Sequence, residues 1–246
     1  MRQVIGQSIW ILLLGVSSLF SACDKNVFCE QGSSTVVTKT LSLTALESVD
    51  LGIAGEVNIM EGATQSIEVT GPSNVVDKIR TSVSNKHWNI EFESGCYNYN
   101  NLTINITIPK LTAANIAGSG NITVHNFTNQ GNLDVGISGS GNLNLNQFSG
   151  TENLKISIQG SGNVNASANF PDIKAVDAAI SGSGSINIYP ILAQTSTATI
   201  TGSGNCYVYA SNDLNATISG SGSISYKGMP NIVSSITGSG TLINAN

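Results

Sequence analysis

The sequence is poor in charged and aromatic side chains. Asp, Glu, Lys and Arg make up 10% of the 246 residues, and Phe, Trp and Tyr make up 6%. The ten basic residues form no stripe, which argues against nucleic-acid binding. The two histidines, His87 and His125, are isolated, and neither a His/Cys metal spacing nor a Gly-rich phosphate loop occurs. The sequence therefore predicts no cofactor and no bound metal.

What the chain has in abundance is a repeat. The motif Ile-x-Gly-Ser-Gly occurs seven times, at intervals of 18–22 residues. A repeat of this period is typical of a stacked architecture in which each unit contacts only its neighbours. The repeated isoleucines are Ile116, Ile137, Ile158, Ile180, Ile200, Ile218 and Ile236, and the first glycines are Gly118, Gly139, Gly160, Gly182, Gly202, Gly220 and Gly238.

Apolar residues alternate with other residues on both sides of each Gly-Ser-Gly. In the second copy, Val135 and Ile137 precede the glycines, and Leu143 and Leu145 follow them. Such alternation predicts a strand with one buried face, then a bend, then a second strand of the same kind. Every copy runs in the same order, whereas a hairpin meander would mirror alternate copies. We therefore predict an all-β, single-chain parallel β-helix with 18–22 residues per coil.

A β-helix places each repeated position in a column. The isoleucines would fill the bore, where each contributes roughly 1.5–3 kcal/mol by burial, and the glycines would form the corners. Serine and asparagine columns beside the corners are interpreted as structural ladders. The acids of the repeats would share no column, so the paired carboxylates of a glycan-cleaving enzyme are not predicted. These acids are Asp134, Glu152, Asp172, Asp177 and Asp213.

Residues 1–22 have the composition of a bacterial secretory leader. Arg2 precedes an apolar run from Ile9 to Leu14, and small residues stand directly before Cys23. The stretch 19–23, Leu-Phe-Ser-Ala-Cys, resembles a lipobox, which implies an acylated Cys23 and an outer-membrane lipoprotein held in the membrane by its amino-terminal lipid. The alternative is a plain signal peptide cleaved near Ala22. Residues 23–35 would form a polar tether.

Residues 36–246 are predicted to form one β-helical domain. Its first part, 36–112, contains irregular strand-like segments, a degenerate coil at 53–59 and a short helix at 74–82. We expect this part to continue into the regular coils of 113–246 and to cover their first edge, since an unprotected edge promotes aggregation. Cys206 falls at a bore position, while Cys29 and Cys96 could pair in an oxidising envelope or remain free.

Three stretches together resemble a known bacterial family. They are Leu51 to Gly62, Ser66 to Gly71, and Leu102 to Ile106 with Pro109, followed by the Gly-Ser-Gly coils. Over about residues 36–246, the combination resembles the family called putative auto-transporter adhesin, head GIN domain. The resemblance implies a right-handed parallel β-helix and an envelope protein of a kind common in Bacteroidota, often a lipoprotein. It carries over no residue with an assigned role.

Two groups of tyrosines are candidates for ligand binding. Tyr189 and Tyr209 would face outward on adjacent coils, with Tyr207 on the same strand as Tyr209, and such rings could stack on sugars. Alternatively, they only favour strand pairing. The loop that contains Tyr97 and Tyr99 is the second candidate, with an ordinary solvated loop as its alternative.

The leading hypothesis is a non-enzymatic, envelope-anchored module that adheres to a glycan or to another polymer of the envelope or of a host. The alternative is a structural protein whose coils stack end to end, because little sequence after Leu242 could cap the last coil. A carbohydrate-active enzyme is the third hypothesis, and no group of residues supports it.

Overall fold

The computed structural model describes residues 29–128 and 130–246. The predicted leader, Cys23 and the first residues of the tether lie outside these ranges. In chain order, the amino-terminal part contains β1 (Glu30–Gln31), β2 (Val36–Thr40), β3 (Ser48–Leu51), β4 (Glu56–Glu61), β5 (Ser66–Pro72), α1 (Ser73–Val76), β6 (Val83–Ser84), β7 (His87–Ile90), β8 (Tyr97–Asn98) and β9 (Thr103–Ile108).

The regular part is a series of strand pairs, each pair separated by a Gly-Ser-Gly corner. Its strands are β10 (Ala113–Ile116), β11 (Asn121–Val124), β12 (Leu133–Ile137), β13 (Asn142–Leu145), β14 (Asn153–Gly160), β15 (Asn163–Ala166), β16 (Ala175–Gly182), β17 (Ser185–Asn187), β18 (Thr195–Gly202), β19 (Asn205–Tyr209), β20 (Asp213–Gly220), β21 (Ser223–Lys227), β22 (Asn231–Gly238) and β23 (Thr241–Asn244).

Successive coils stack in parallel and in register. Ile158 lies beside Ile180 and Ile180 beside Ile200, so each repeat adds one layer to both sheets. One sheet has the order β22-β20-β18-β16-β14-β12-β10-β3-β7-β6, and the other has the order β2-β5-β9-β4-β11-β13-β15-β17-β19-β21-β23. The predicted parallel β-helix is confirmed, with its Gly-Ser-Gly corners above one another.

The bore is apolar along most of its length. Six of the seven repeated isoleucines are at most 2% exposed, as predicted. Ile236 is the exception, at 43% exposed, because β22 is the last strand of its sheet and no further coil among the described residues covers it. A second buried column, absent from the sequence prediction, runs through the connections between coils: Phe127, Phe148 and Phe170 lie with successive ring centroids 5.6 and 5.0 Å apart.

The corner glycines are required by both backbone angle and space. Gly202 has a φ of +124°, a value that side chains with a Cβ rarely adopt. A Cβ on Gly202 would also stand 2.5 Å from the carbonyl oxygen of Gly182 in the coil below. Stacking of identical corners therefore leaves no room for a side chain at this position.

The amino-terminal part forms two further coils, but their order in the stack differs from their order in the chain. β3 and β4, joined by the bend at 52–55, pair directly with β10 and β11. β7 and β9 come later in the chain, yet they pair with β3 and β4 on the outer side. The chain therefore doubles back before the regular coils begin, a feature that the simple one-coil-per-repeat prediction does not contain.

The outermost layer closes the amino-terminal end of the bore. β5 runs antiparallel to both β2 and β9, and β6 runs antiparallel to β7. Helix α1, shorter than the predicted helix at 74–82, buries Val75 and Val76 against this end, and Ile79 after the helix is also buried. The Trp88 ring is fully buried nearby, and its indole N–H donates to the carbonyl oxygen of Arg80 at 2.8 Å.

A disulfide ties the first described residue to this region. Cys29 and Cys96 are bonded, with their Cα atoms 4.5 Å apart, and the adjacent strands β1 and β8 pair in parallel. Cys206 lies in the bore as a buried free thiol.

Candidate binding surfaces

Three successive coils bring aromatic and basic side chains together on the outer face of the second sheet. The rings of Tyr189 and Tyr207 meet edge to face, with centroids 5.6 Å apart. The Tyr189 hydroxyl donates to Ser225 Oγ at 2.6 Å, and Lys227 Nζ lies 4.8 Å from the centroid of the Tyr189 ring. We call Tyr189, Tyr207, Tyr209 and Lys227 the tyrosine patch.

The register explains how the patch is assembled. Tyr207 on β19 lies between Asn187 on β17 and Ser225 on β21, and Tyr209 lies beside Lys227. β17 ends at Asn187, so Tyr189 leaves the strand and its ring reaches over Ser225, which is only 6% exposed. Among the described residues, the ring pair joins Tyr189 to Tyr207, and Tyr209 takes no part in it.

The patch is preorganised and uncharged apart from one ammonium group. A cation above an aromatic face and an edge-to-face ring pair are each favourable, so the rings keep their orientation without a ligand. All three tyrosines are half-buried and the neighbouring Asn187 is exposed. An aromatic surface bordered by an amide can stack on the apolar face of a sugar ring and hydrogen-bond its hydroxyl groups.

The second predicted group of tyrosines is packed into its own loop. The Tyr97 hydroxyl donates to the carbonyl oxygen of Ser94 at 2.8 Å, and the Tyr99 hydroxyl donates to that of Ala54 at 2.8 Å. Both rings lie against Phe92, with centroid distances of 4.7 and 5.5 Å. Burial raises the pKa of the Tyr99 hydroxyl, and its hydrogen bond to Ala54 offsets part of that rise. These contacts fasten the loop to the coils, and the loop lies far along the stack from the tyrosine patch.

The asparagine columns are hydrogen-bonded ladders. Asn142 donates to Asn121 and Asn163 donates to Asn142, each amide-to-amide contact being 2.9 Å long. Ser223 continues the same column by donating to Asn205 at 2.7 Å. Because these side chains form hydrogen bonds with each other from one coil to the next, we assign them a structural role.

A groove that the sequence prediction missed lies on the outer face of the first sheet. It has a volume of about 260 Å³ and is lined by polar groups that include Asp50, Asn115, Ser157 and Gln159. It exists because Gly136, in the middle of β12, has no side chain; a Cβ there would stand 2.7 Å from Asn115 Oδ1. The sequence did contain a signal for this groove, because a glycine inside a strand often marks a place where a ligand or another backbone approaches closely.

A hydrogen-bonded group of side chains borders this groove. Asn115 donates to Asp50 Oδ1 at 2.7 Å, His87 Nε2 lies 3.3 Å from Asp50 Oδ2, and His87 Nδ1 lies 2.9 Å from Ser48 Oγ. The residue types are those of a serine hydrolase triad. However, the amide N–H of Ser48 is bonded to the carbonyl oxygen of Lys86 at 3.1 Å, so it is not free to stabilise an oxyanion. The group is suited to hydrogen-bonding a polar ligand.

The prediction that no acids share a column is wrong. Asp134, Lys155 and Asp177 lie side by side on β12, β14 and β16. The two carboxylates are therefore two strands, roughly 9.6 Å, apart along the sheet, with a lysine between them. All three side chains are exposed to solvent.

In the described ranges, no cluster of three or more His, Cys, Asp and Glu side chains is placed to hold a metal ion. The same residues include no helix with the length and hydropathy needed to span a membrane.

Comparison with known proteins connects this geometry to a family. A family model described as "Putative auto-transporter adhesin, head GIN domain" matches residues 45–230. The chain belongs to this family. The resemblance seen in the sequence is thereby confirmed, and the match includes every strand of the tyrosine patch and of the groove.

Solved structures share this fold. A crystal structure named as a putative adhesin from Bacteroides fragilis is 24% identical, with a TM-score of 0.80 over 87% of this chain and 99% of that one. A structure from Parabacteroides distasonis, named as a putative lipid binding protein, is 22% identical with a TM-score of 0.71, over 88% and 99%. A putative adhesin from Parabacteroides merdae has the same identity and TM-score, over 88% and 98%. A search of the curated proteins gives no match.

Proposed function

We propose that this protein is a non-enzymatic adhesion module of the cell envelope that binds a glycan or a similar neutral polymer through the tyrosine patch. The observation that carries the proposal is the edge-to-face pair of Tyr189 and Tyr207, with Lys227 over the Tyr189 ring, on the outer face of the stack. The membership of an adhesin-like family supports a place in the envelope or at the cell surface.

The ligand class follows from the chemistry of the face. Below the patch, the column that contains Tyr207 continues as Asn187, Asn165 and Asn144, one polar, uncharged side chain per coil. A polymer with repeated hydroxyl groups could contact several layers of such a face, whereas a strongly charged polymer would find only Lys227 near the rings. Ring stacking provides the affinity and the amides orient the chain.

The proposal is tested with residues 24–246 on a glycan array that includes bacterial envelope polymers. Tyr189→Ala/Tyr207→Ala/Tyr209→Ala is expected to lose binding at least tenfold. The matched control replaces the same three residues with Phe, which keeps the rings and is expected to retain most of the binding. If the folded alanine variant binds as well as the wild type, the patch is not the binding site.

Anchoring is the second part of the proposal. We propose that Cys23 is acylated and holds the protein at the outer membrane. Labelling cells with an alkyne fatty acid is expected to tag the wild-type protein and not Cys23→Ser, which should be released into the soluble fraction. A labelled Cys23→Ser protein would contradict acylation at this residue.

Self-association is the second candidate function. The exposed apolar residues of the last coil favour it, whereas the sealed amino-terminal end does not favour an unlimited head-to-tail filament.

A further inference from the structure

The groove at Gly136 interrupts a row of side chains on the outer face of the first sheet. Asn115, Gly136 and Ser157 lie side by side on β10, β12 and β14. The positions that continue this row on later strands all carry a side chain: Ala179, Thr199 and Thr217. Unlike the corner glycine Gly202, Gly136 has no positive φ, so its backbone angle does not require a glycine. Its consequence is the space between Asn115 and Ser157, whose backbones are about 9.6 Å apart across two strand spacings.

The hydrogen bond between Asn115 and Asp50 orients an acceptor towards this space. A carboxylate only accepts hydrogen bonds, so the Asn115 amide nitrogen faces Asp50 Oδ1, at 2.7 Å. The amide oxygen of Asn115 then points the other way, and a Cβ on Gly136 would stand 2.7 Å from it. In the part of the chain that the structure describes, this oxygen accepts no hydrogen bond from another protein group. It is therefore available to a ligand in the groove.

The other walls of the groove provide hydroxyl and amide groups. Ser157 Oγ would stand 3.2 Å from a Cβ on Gly136, and Ser138 and Gln159 also line the groove. Within residues 29–128 and 130–246, none of these three side chains is hydrogen-bonded to another protein group. A hydroxyl group both donates and accepts, and the amide of Gln159 does the same through its two ends. The groove therefore presents hydrogen-bond donors opposite the Asn115 acceptor.

Charge and size narrow the class of ligand. Of the described residues that line the groove, Asp50 is the charged one. Its two oxygens already face nitrogen atoms of Asn115 and His87, so it repels an anion and offers little further bonding to a cation. The groove has a volume of about 260 Å³, below the roughly 300–1,000 Å³ of sites for drug-sized ligands. An uncharged single ring with several hydroxyl groups meets both conditions.

We propose that the groove at Gly136 binds one ring of a neutral sugar. The ring would lie over the backbone of Gly136, with one hydroxyl group donating to Asn115 Oδ1 and others bonding to Ser157 and Gln159. This site is built on β3, β10, β12 and β14, whereas the tyrosine patch is built on later coils and on the second sheet. The proposal therefore does not rest on the proposed function, and the two sites would be occupied independently.

Binding is measured by NMR, from the amide chemical shifts of ¹⁵N-labelled residues 24–246 during titration with neutral monosaccharides. The probes are glucose, galactose, mannose and N-acetylglucosamine. We expect at least one of them to give saturable shifts at Gly136, Ser138 and Ser157. The uronic acid and the amino sugar of the same configuration as the sugar that binds are expected to bind more weakly, because the groove suits an uncharged ring.

Gly136→Thr is the variant that fills the groove. Threonine occupies the same row at Thr199 and Thr217, so the sheet accepts it, although the Asn115 side chain must shift. We expect the dissociation constant of the sugar to rise at least tenfold. Ala179→Thr is the matched control, because it adds the same side chain to the same row outside the groove, and binding should be unchanged.

Two further variants keep the test independent of the fold and of the tyrosine patch. Ser157→Ala removes only a hydroxyl group from the wall, and we expect it to weaken binding by a smaller factor than Gly136→Thr. The variant with alanine at Tyr189, Tyr207 and Tyr209 should retain the shifts at the groove. Loss of these shifts in the folded tyrosine variant would contradict a separate site.

Three other results would overturn the proposal. One is that no neutral monosaccharide changes the amide shifts of the groove. Another is that Ala179→Thr weakens binding as much as Gly136→Thr, which would indicate an effect on the sheet rather than on the groove. The third is tighter binding of the uronic acid or of the amino sugar, which would assign the groove to a charged ligand.

Discussion

Two isoleucines of the same column show how position in the stack decides what a residue contributes. Ile200 is fully buried, with coils on both sides, whereas Ile236 is 43% exposed in the last coil. Removing a buried aliphatic side chain costs its transfer free energy and leaves a cavity, but an exposed one leaves no closed cavity. Copies of the same motif therefore contribute different amounts to the free energy of unfolding.

We expect Ile200→Ala to lower the free energy of unfolding by about 3 kcal/mol and Ile236→Ala by about 1 kcal/mol or less. The measurement is urea-induced unfolding below the concentration at which the protein self-associates. Equal losses would indicate that the last coil is covered in solution.

The corner glycines provide a second residue-scale prediction. Gly202→Ala would place a methyl group against the carbonyl oxygen of Gly182 at a positive φ, and we expect a loss of about 3 kcal/mol. Gly131→Ala is the control, because a Cβ there would meet no atom of the described residues within 4 Å, apart from its two chain neighbours. Thermal unfolding should separate the two variants clearly, and a similar melting temperature for both would contradict the crowding of the corner.

The bore thiol provides a prediction on pH. Burial raises the pKa of Cys206 from 9.0 to about 12. Between these values the unfolded chain loses the proton while the folded protein keeps it, so the contribution of Cys206 to stability is present below pH 9 and decreases as the pH rises towards 12. We expect the free energy of unfolding of the wild type to fall more steeply over this range than that of Cys206→Ala. Parallel curves would show that the thiol ionises equally in both states.

At the scale of elements, the amino-terminal layer depends on a cross-link. The disulfide between Cys29 and Cys96 encloses a loop with a sequence separation of 67 residues and fixes the pairing of β1 with β8. A loop of this length reduces the entropy of the unfolded chain by an amount worth about 4 kcal/mol. The amino-terminal layer is therefore stabilised by a covalent cross-link in addition to the packing of apolar side chains in the bore.

Replacing both cysteines, Cys29→Ser with Cys96→Ser, is expected to lower the free energy of unfolding by up to about 4 kcal/mol. The double replacement avoids a new reactive thiol. Denaturant unfolding of the variant and of the wild type, each with and without reductant, provides the comparison. An effect of reductant on the double variant would show that another bond contributes.

The elements also show what could be predicted from the sequence. The Ile-x-Gly-Ser-Gly period is sufficient to predict parallel stacking, because neighbouring coils repeat the same local chemistry. The order of β3 and β7 in the stack could not be predicted, because both have the same alternation and only tertiary pairing separates them. The groove at Gly136 and the column of Asp134 with Asp177 both depend on cross-strand register, which a list of single positions does not provide.

At the scale of the whole molecule, the two ends of the described stack differ. Helix α1 packs buried residues at the amino-terminal end, whereas β22 and β23 each have one neighbouring strand among the described residues. In a solenoid, each layer is stabilised by its neighbours, so a terminal layer with one neighbour is the least stable. Local opening should therefore begin at the last coil.

Hydrogen exchange tests this gradient. In dilute protein we expect amides of β22 and β23 to exchange faster than those of β14 and β16, which have neighbours on both sides. Uniform protection along the stack in dilute solution would contradict the gradient.

The doubling back of the amino-terminal chain has a consequence for assembly. The β3–β4 coil is the layer from which the stack extends in both directions: outward through β7 and β9, and inward to every later repeat. It therefore provides the pairing partners both for the outer coil and for the first regular coil. Removing a whole repeat near the carboxyl terminus would shorten the stack by one layer. Removing residues 48–61 would instead leave β7 and β9 on one side, and β10 and β11 on the other, without their shared pairing partners.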